Sequence, residues 1–171
     1  MKKTALLTLA FALISLTGWG QRFAFIDSEY IMENIPEVQA AEMEIEQLSV
    51  QWQADIEAKF AEIDRLYREY QAEAPLLPEE MKKQREDVII QKEREAKELQ
   101  MRRFGRDGDL FRKRQELIKP IQDRIYTAVE EIATRGNYAI IFDKAGGVTM
   151  LFTDMRYDLS DEVLQRMGYR R

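Results

Sequence analysis

The residue pattern implies an α+β chain, mostly helical, in which a long antiparallel coiled-coil hairpin is inserted in a small β-rich oligomerisation body. Three observations carry this. Only 4 Pro and 8 Gly punctuate 171 residues, so most of the chain must run in long unbroken elements. Apolar residues recur in steps of three and four over two long stretches. Beyond residue 20, strand-like runs stand only near the two ends of the chain. Charged residues reach 33%, high for a compact globule and suited to helices with solvated faces. There is no His and no Cys, which removes the usual zinc and haem ligands, thiol and Ser-His nucleophiles, and any disulfide framework.

Residues 1–20 read as a secretory signal peptide. Lys2 and Lys3 make a basic start, Thr4 to Leu16 is apolar, and the small residues Gly18 and Gly20 precede a cleavage point near Gln21. A membrane anchor would need about 20 apolar residues to cross the hydrocarbon, and Trp19 to Arg22 ends the run too early. With no Cys at the cleavage point, no lipid anchor is suggested. Loss of Lys2 and Lys3 moves the net charge from −5 to −7.

Arg22 to Ile26 is aromatic and β-branched and suits a strand. Asp27 is placed as the N-cap of a short helix ending near Asn34, and Pro36 marks a break. From Glu37 to Ala74 neither Gly nor Pro occurs, and strong helix formers dominate. Ala41, Ile45, Leu48, Trp52, Ile56, Phe60, Ile63, Tyr67, Tyr70 and Ala74 form one apolar stripe. Such a helix is about 57 Å long. Pro75 to Pro78 bends the chain, and a second helix is expected from about Glu79 to Arg135. In its later half Phe104, Phe111, Ile118, Ile125 and Ile132 fall seven apart, joined by Ile121 and Ala128, the signature of a supercoiled seam.

So short a connection folds the helices back as an antiparallel hairpin, which places Trp52 near Met101. Charge supports the pairing: Glu37 to Ala74 holds ten acids and three bases, Lys82 to Arg114 seven acids and twelve bases. After Gly136, the runs Tyr138 to Phe142 and Val148 to Phe152 flank Asp143 to Gly147 and read as a β-hairpin. A phosphate loop at Gly146 and Gly147 lacks the Lys-Ser/Thr start that chemistry requires. Asp161 to Met167 forms a last helix ended by Gly168. Asp154, Asp158 and Asp161 lack calcium-loop spacing, and capping accounts for them.

The organisation expected is therefore discontinuous: residues 21–36 with 116–171 form a body, and residues 37–115 a helical hairpin with its tip at 75–78. Three short strands bury too little apolar surface to stand alone, so copies of the chain are expected to associate. Phe23, Phe25, Ile118, Ile121, Ile125, Ile132, Ile140, Phe142, Leu151 and Leu164 are the residues assigned to that shared body.

Four segments carry a resemblance. Phe25-Ile-Asp-Ser-Glu-Tyr-Ile-Met-Glu-Asn-Ile-Pro36 resembles the opening motif of the OmpH/Skp periplasmic chaperones, and Leu117 to Tyr126 with Val129 to Ala133 resembles their returning helix. Tyr138 to Lys144 and Tyr157 to Leu164 are similar to their closing hairpin and helix. The resemblance spans residues 22–169 and implies a jellyfish-like homotrimer. Three helical tentacles would enclose a cavity that receives unfolded outer-membrane proteins in the periplasm without ATP or any cofactor.

A holdase needs many weak, adaptable contacts rather than one tight pocket. Leu76, Leu77 and Met81 at the tip, and Val50, Tyr67, Met101 and Leu110 beside the stripe, are the client-contact candidates; packing within the hairpin is their other reading. Gly105 and Gly108 each cost about 1 kcal/mol relative to Ala in a helix interior, so they either soften the arm as a hinge or are merely tolerated. Arg102, Arg103, Arg106, Arg112, Lys113 and Arg114 make a basic stripe beside an acidic helix. No lipopolysaccharide site is carried over to this acidic chain, anionic membrane lipid stays open as a partner, and nucleic acid is not an expected one. A structural spacer would use the same coiled coil without clients. An enzyme is not expected, since Asp143, Lys144 and Tyr157 single out no reaction by their spacing.

Overall fold

The protein is described by a computed structural model covering residues 21–147 and 149–169; the segment read as a signal peptide lies outside the described residues. The elements are β1 (Arg22–Ile26), α1 (Ser28–Glu33), α2 (Pro36–Glu73), a 3₁₀ turn (Ala74–Leu76), α3 (Glu79–Phe104), α4 (Asp109–Gly136), β2 (Tyr138–Asp143), a second 3₁₀ turn (Met155–Tyr157) and α5 (Ser160–Arg166). Mostly helical with a small sheet, the chain divides into two compact units, one of residues 35–124 and one built from both ends. Among the described residues no helix is long and apolar enough to cross a membrane.

In the unit made of both ends, β1 and β2 pair in parallel: Phe23 stands opposite Ile140, Ala24 opposite Ile141 and Phe25 opposite Phe142. Parallel strands cannot be joined by a tight turn, and here the whole helical run from α1 to α4 is the crossover. The hairpin expected after Tyr138 does not form, and residues 149–152 are not a strand. The strand end is tied elsewhere. The Asp143 carboxylate accepts the Ser28 N–H at 3.1 Å, the Ser28 hydroxyl at 2.7 Å and the Ala145 N–H at 3.1 Å, which directs β2 toward the start of α1. The other edge of β1 is occupied by a bridge from Phe25 to Asp158, with the Leu159 N–H donating to the Phe25 carbonyl at 2.9 Å.

Side chains of Ala24, Phe25, Ile26, Ile31, Ile125, Ala128, Ile132, Leu159, Val163 and Leu164 are buried in this unit. Ser160 is buried with them and is satisfied, accepting the Asp27 N–H at 2.9 Å and donating to Asp158 at 2.6 Å. Asp27 caps α1 as its sequence position implies, accepting the Tyr30 N–H at 3.1 Å. Asn137, at φ 50°, closes α4 in the left-handed region, and Gly168, at φ 94°, closes α5, with the Tyr169 N–H reaching the Leu164 carbonyl at 2.9 Å.

The other unit is helical. Pro36 stands at the break after α1 and opens α2, because a first-turn proline has no ladder bond to lose. Val38, Ala41, Ile45, Ile56 and Ile63 are the buried side of α2. Ile89 and Ala96 answer from α3, and Ile63, Ile89 and Ala96 form a cluster flanked by Phe60, Leu66 and Tyr70. The two helices run antiparallel. Glu73 meets Arg85 at 3.4 Å and Glu62 meets Lys92 at 3.1 Å, and farther on Glu44 meets Lys113 of α4 at 3.0 Å, so numbers fall on one side as they rise on the other. These are the acid-to-base pairings the charge pattern implied. The second helix is not continuous, however: α3 ends at Phe104 and α4 begins at Asp109. Ahead of that break, Trp52 lies against Arg103, two residues past Met101. The seven-residue series is buried only in part. Ile125 and Ile132 are buried and are joined by Ile121 and Ala128, while Ile118 is half-buried and Phe111 is exposed. Pro120 stands inside α4, where one ladder donor is missing.

Candidate functional site

Within residues 35–124, a helix can hide only one stripe against its neighbour, and any apolar residue off that stripe stays in water. Val50 is 60% exposed, Met101 71% and Leu76, at the bend, 87%. Tyr67 and Met81 are exposed as well, whereas Leu77 and Leu110 are half-buried or less open. Near the bend the seam continues through Leu66 and Tyr70, which leaves Tyr67 turned away. Sequence reasoning missed Met43, Val88 and Ile90, all exposed. A signal for the last two was present: Val88 and Ile90 flank Ile89, and consecutive helical positions cannot all face one seam.

Ile90 and Met101 line a shallow groove of about 490 Å³ with Glu93, Arg94, Lys97 and Glu98. Its two apolar ends are separated by charges of both signs. Its form is open rather than enclosed.

The break between α3 and α4 is a tight turn. The Gly105 N–H donates to the Met101 carbonyl at 2.8 Å and the Gly108 N–H to the Gly105 carbonyl at 2.9 Å. A Cβ at Gly105 would lie 2.3 Å from the Met101 carbonyl oxygen, and one at Gly108 2.8 Å from that of Arg103. Close backbone approach is thus a physical reason for glycine at both positions. Asp109, opening α4, receives Arg103 at 2.6 Å and also Arg112. Arg112 first, and then Arg103, hold its carboxyl below the ordinary carboxylate range. Lys113 is held above the usual lysine range chiefly by Glu44. Of the basic stripe, Arg102, Arg106 and Arg114 are exposed, while Arg103, Arg112 and Lys113 are engaged in ion pairs.

In the other unit, the residues assigned to a shared body fall into two sets. Phe25, Ile125, Ile132 and Leu164 are buried in its own core, as Ile121 is within residues 35–124. Phe23, Ile140 and Phe142 are exposed, and the parallel register with its two-residue period puts them on one face of the sheet with Phe25, which is covered there. Leu151 is 96% exposed, with Phe152, Met155 and Tyr157 exposed after it. The polar residues weighed for acid/base work are not assembled. Asp143 is consumed at the start of α1, Lys144 pairs with Asp27 at 2.9 Å, and Tyr157 is exposed beside Arg156. Asp154, Asp158 and Asp161 cap or accept hydrogen bonds from Arg156, Ser160 and Tyr30. Among the described residues no three acids gather as a metal site.

A family model described as "Outer membrane protein (OmpH-like)" matches residues 22–167. Among solved structures, the chain is similar to a candidate outer membrane chaperone (OmpH-like) from Caulobacter crescentus CB15. The identity is 10%, the overlap covers 88% of this chain and 85% of that one, and the TM-score is 0.70. At that identity the likeness shows the fold alone. No curated protein matches the chain.

Proposed function

The chain belongs to the OmpH-like outer membrane protein family, and we propose that it is an ATP-independent periplasmic holdase that keeps unfolded outer-membrane proteins from aggregating. Residues 1–20 direct export and are removed. Residues 37–115 act as an antiparallel coiled-coil arm with its tip at 75–78, and residues 21–36 with 116–171 act as the body through which three copies associate. Clients are held in the cavity between arms.

The observation that carries this reading is the set of exposed apolar side chains along the helical unit: Val50, Tyr67, Leu76, Met81 and Met101, with Met43, Val88 and Ile90 added. Single exposed apolar side chains are ordinary on a protein surface; what supports the reading is that eight recur along one helical unit and that two of them, Ile90 and Met101, share a groove. Scattered over two helices, they supply weak contacts in number, so binding is promiscuous and reversible without a nucleotide. Leu77 and Leu110 contribute where they are half-uncovered. Gly105 and Gly108 give the arm a joint that adjusts its spread to the client. The face of Phe23, Ile140 and Phe142, together with Leu151, supplies the apolar surface that copies bury against one another.

At stoichiometric amounts and with no nucleotide, the mature protein is expected to keep a urea-diluted outer-membrane barrel protein soluble. A spacer would leave it to precipitate. Mass measurement in solution, with and without the unfolded client, reads assembly and stoichiometry together: three copies alone and three copies plus one client are expected, and a stable single subunit at micromolar concentration contradicts the proposal.

A further inference from the structure

The turn at 105–108 interrupts the ladder of α3 and α4, and the backbone bonds that close it are local. What fastens the two sides is a set of side chains. Arg103 lies in the last turn of α3, and its guanidinium stacks 4.6 Å from the centroid of the Trp52 ring on α2. The same guanidinium reaches across the turn to Asp109, the first residue of α4, at 2.6 Å, with both side chains mostly shielded from solvent. One residue thus touches all three helices. Arg112, one turn into α4, meets the same carboxylate from the far side. Neighbouring Arg102 and Arg106 are exposed, so basic charge at this place is common while the three-way contact is particular to Arg103.

We propose that Arg103 is the catch of this joint: stacked on Trp52 and gripping Asp109, it fastens the start of α4 to the α2–α3 pair, and its release lets the arm bend at residues 105–108. An arginine suits this role where lysine does not. Its planar fork grips a carboxylate while the guanidinium face lies on an aromatic ring, so both contacts form or break together. The glycines make the turn possible; the catch decides how often it opens. Such a catch is a matter of arm mechanics and stands whether or not the arm holds clients.

Amide hydrogen exchange on the wild-type protein and the variants Arg103→Gln, Asp109→Asn and Asp109→Glu tests it. The first two should raise exchange across residues 104–112 by roughly five- to thirtyfold, with residues 56–96 and 125–132 unchanged. Asp109→Glu, which keeps the carboxylate, should restore most of the protection. Arg103→Gln leaves the first turn of α4 untouched, so a loss seen only with Asp109→Asn would mark a helix-start effect and overturn the catch. Unchanged exchange over 104–112 in Arg103→Gln would overturn it as well, and so would an equal rise along the whole of 56–96.

Discussion

The two units of this chain are held together by different means. In the unit made from both ends, contacts join residues more than a hundred positions apart. Asp143 ties to Ser28, Lys144 to Asp27, Tyr30 to Asp161 and Ser160 to the Asp27 backbone. The ties of Asp143 to Ser28 and of Ser160 to Asp27 are half-buried, while those of Lys144 to Asp27 and of Tyr30 to Asp161 are open to solvent. Residues 35–124 are held by the α2–α3 seam and by ion pairs, some open to solvent, such as Glu73 with Arg85. Exposed pairs give orientation more than stability. One chain thus carries a part tied together across its length and a part held along a helix seam, and under the proposed function the second is the part expected to adapt.

Truncating the two cores gives the largest expected separation between them. Ile31 is completely buried, and Ile31→Ala is expected to cost about 2–5 kcal/mol. Ile63→Ala, on a seam whose neighbours can close over the gap, is expected to cost about 2 kcal/mol. Denaturant titrations of both variants check this; equal large losses would mean the helical unit is as tightly specified as the other.

Next in size is the turn. Gly105→Ala places a Cβ against a carbonyl oxygen and is expected to cost about 1–3 kcal/mol, read as loss of amide protection confined to residues 101–112.

A smaller effect belongs to the anchored unit. Lys144 first, and then the Tyr30 N–H, hold the Asp27 carboxyl below its ordinary value of 3.8, while Asp27 holds Lys144 above its ordinary 10.5. For Asp27 the folded value is the lower one, so its contribution is complete above the unfolded value and is lost as pH falls through the folded one. For Lys144 the folded value is the higher one, so its contribution is complete below 10.5 and is lost as pH rises beyond. Stability from this pair is therefore expected to be flat across neutral pH and to fall at both extremes. Lys144→Met should flatten the alkaline limb in denaturant titrations taken across pH, and an unchanged limb would remove the pair from the anchoring set.

The smallest change in stability is expected at the exposed surface. Val50→Ser and Met101→Ser should each stay within about 0.5 kcal/mol of wild type. Their combination should still reduce the amount of urea-diluted barrel protein kept soluble, as followed by light scattering.

Much of this difference is legible in the sequence, for local reasons. The stripe from Ala41 to Ile63, the Asp27 cap, the bend after Ala74 and the Gly168 stop depend on neighbours three or four residues away, and periodicity or capping chemistry states them. The features that escape depend on distant partners. Read alone, Tyr138 to Asp143 pairs with the next run along the chain, because a turn and a nearby strand are the simplest reading. A sheet joining residues 22–26 to 138–152 is legible, because strand-like runs stand only at the two ends, and β1 is the partner; what escapes is that residues 149–152 add no strand and that Ser28 holds Asp143. The break at 105–108 escapes because helix propensity weighs the two glycines singly, whereas the ion pair from Arg103 to Asp109 across the turn is visible only in three dimensions. On the surface, Val50, Leu76 and Met101 are legible as residues that the stripe leaves out. Val88 and Ile90 require knowing which way α3 is rotated, and burial of Ile89 between them fixes that.

Oxidative footprinting of methionines, with and without a bound unfolded barrel protein, tests most directly whether the helical unit is the one that meets clients. Met43, Met81 and Met101 are exposed on the helical unit, and Met155 is exposed on the other. Client binding is expected to slow oxidation of Met43, Met81 and Met101 and to leave Met155 as it was. Protection of Met155 with the three helical methionines unchanged would contradict a client-binding role for the helical unit.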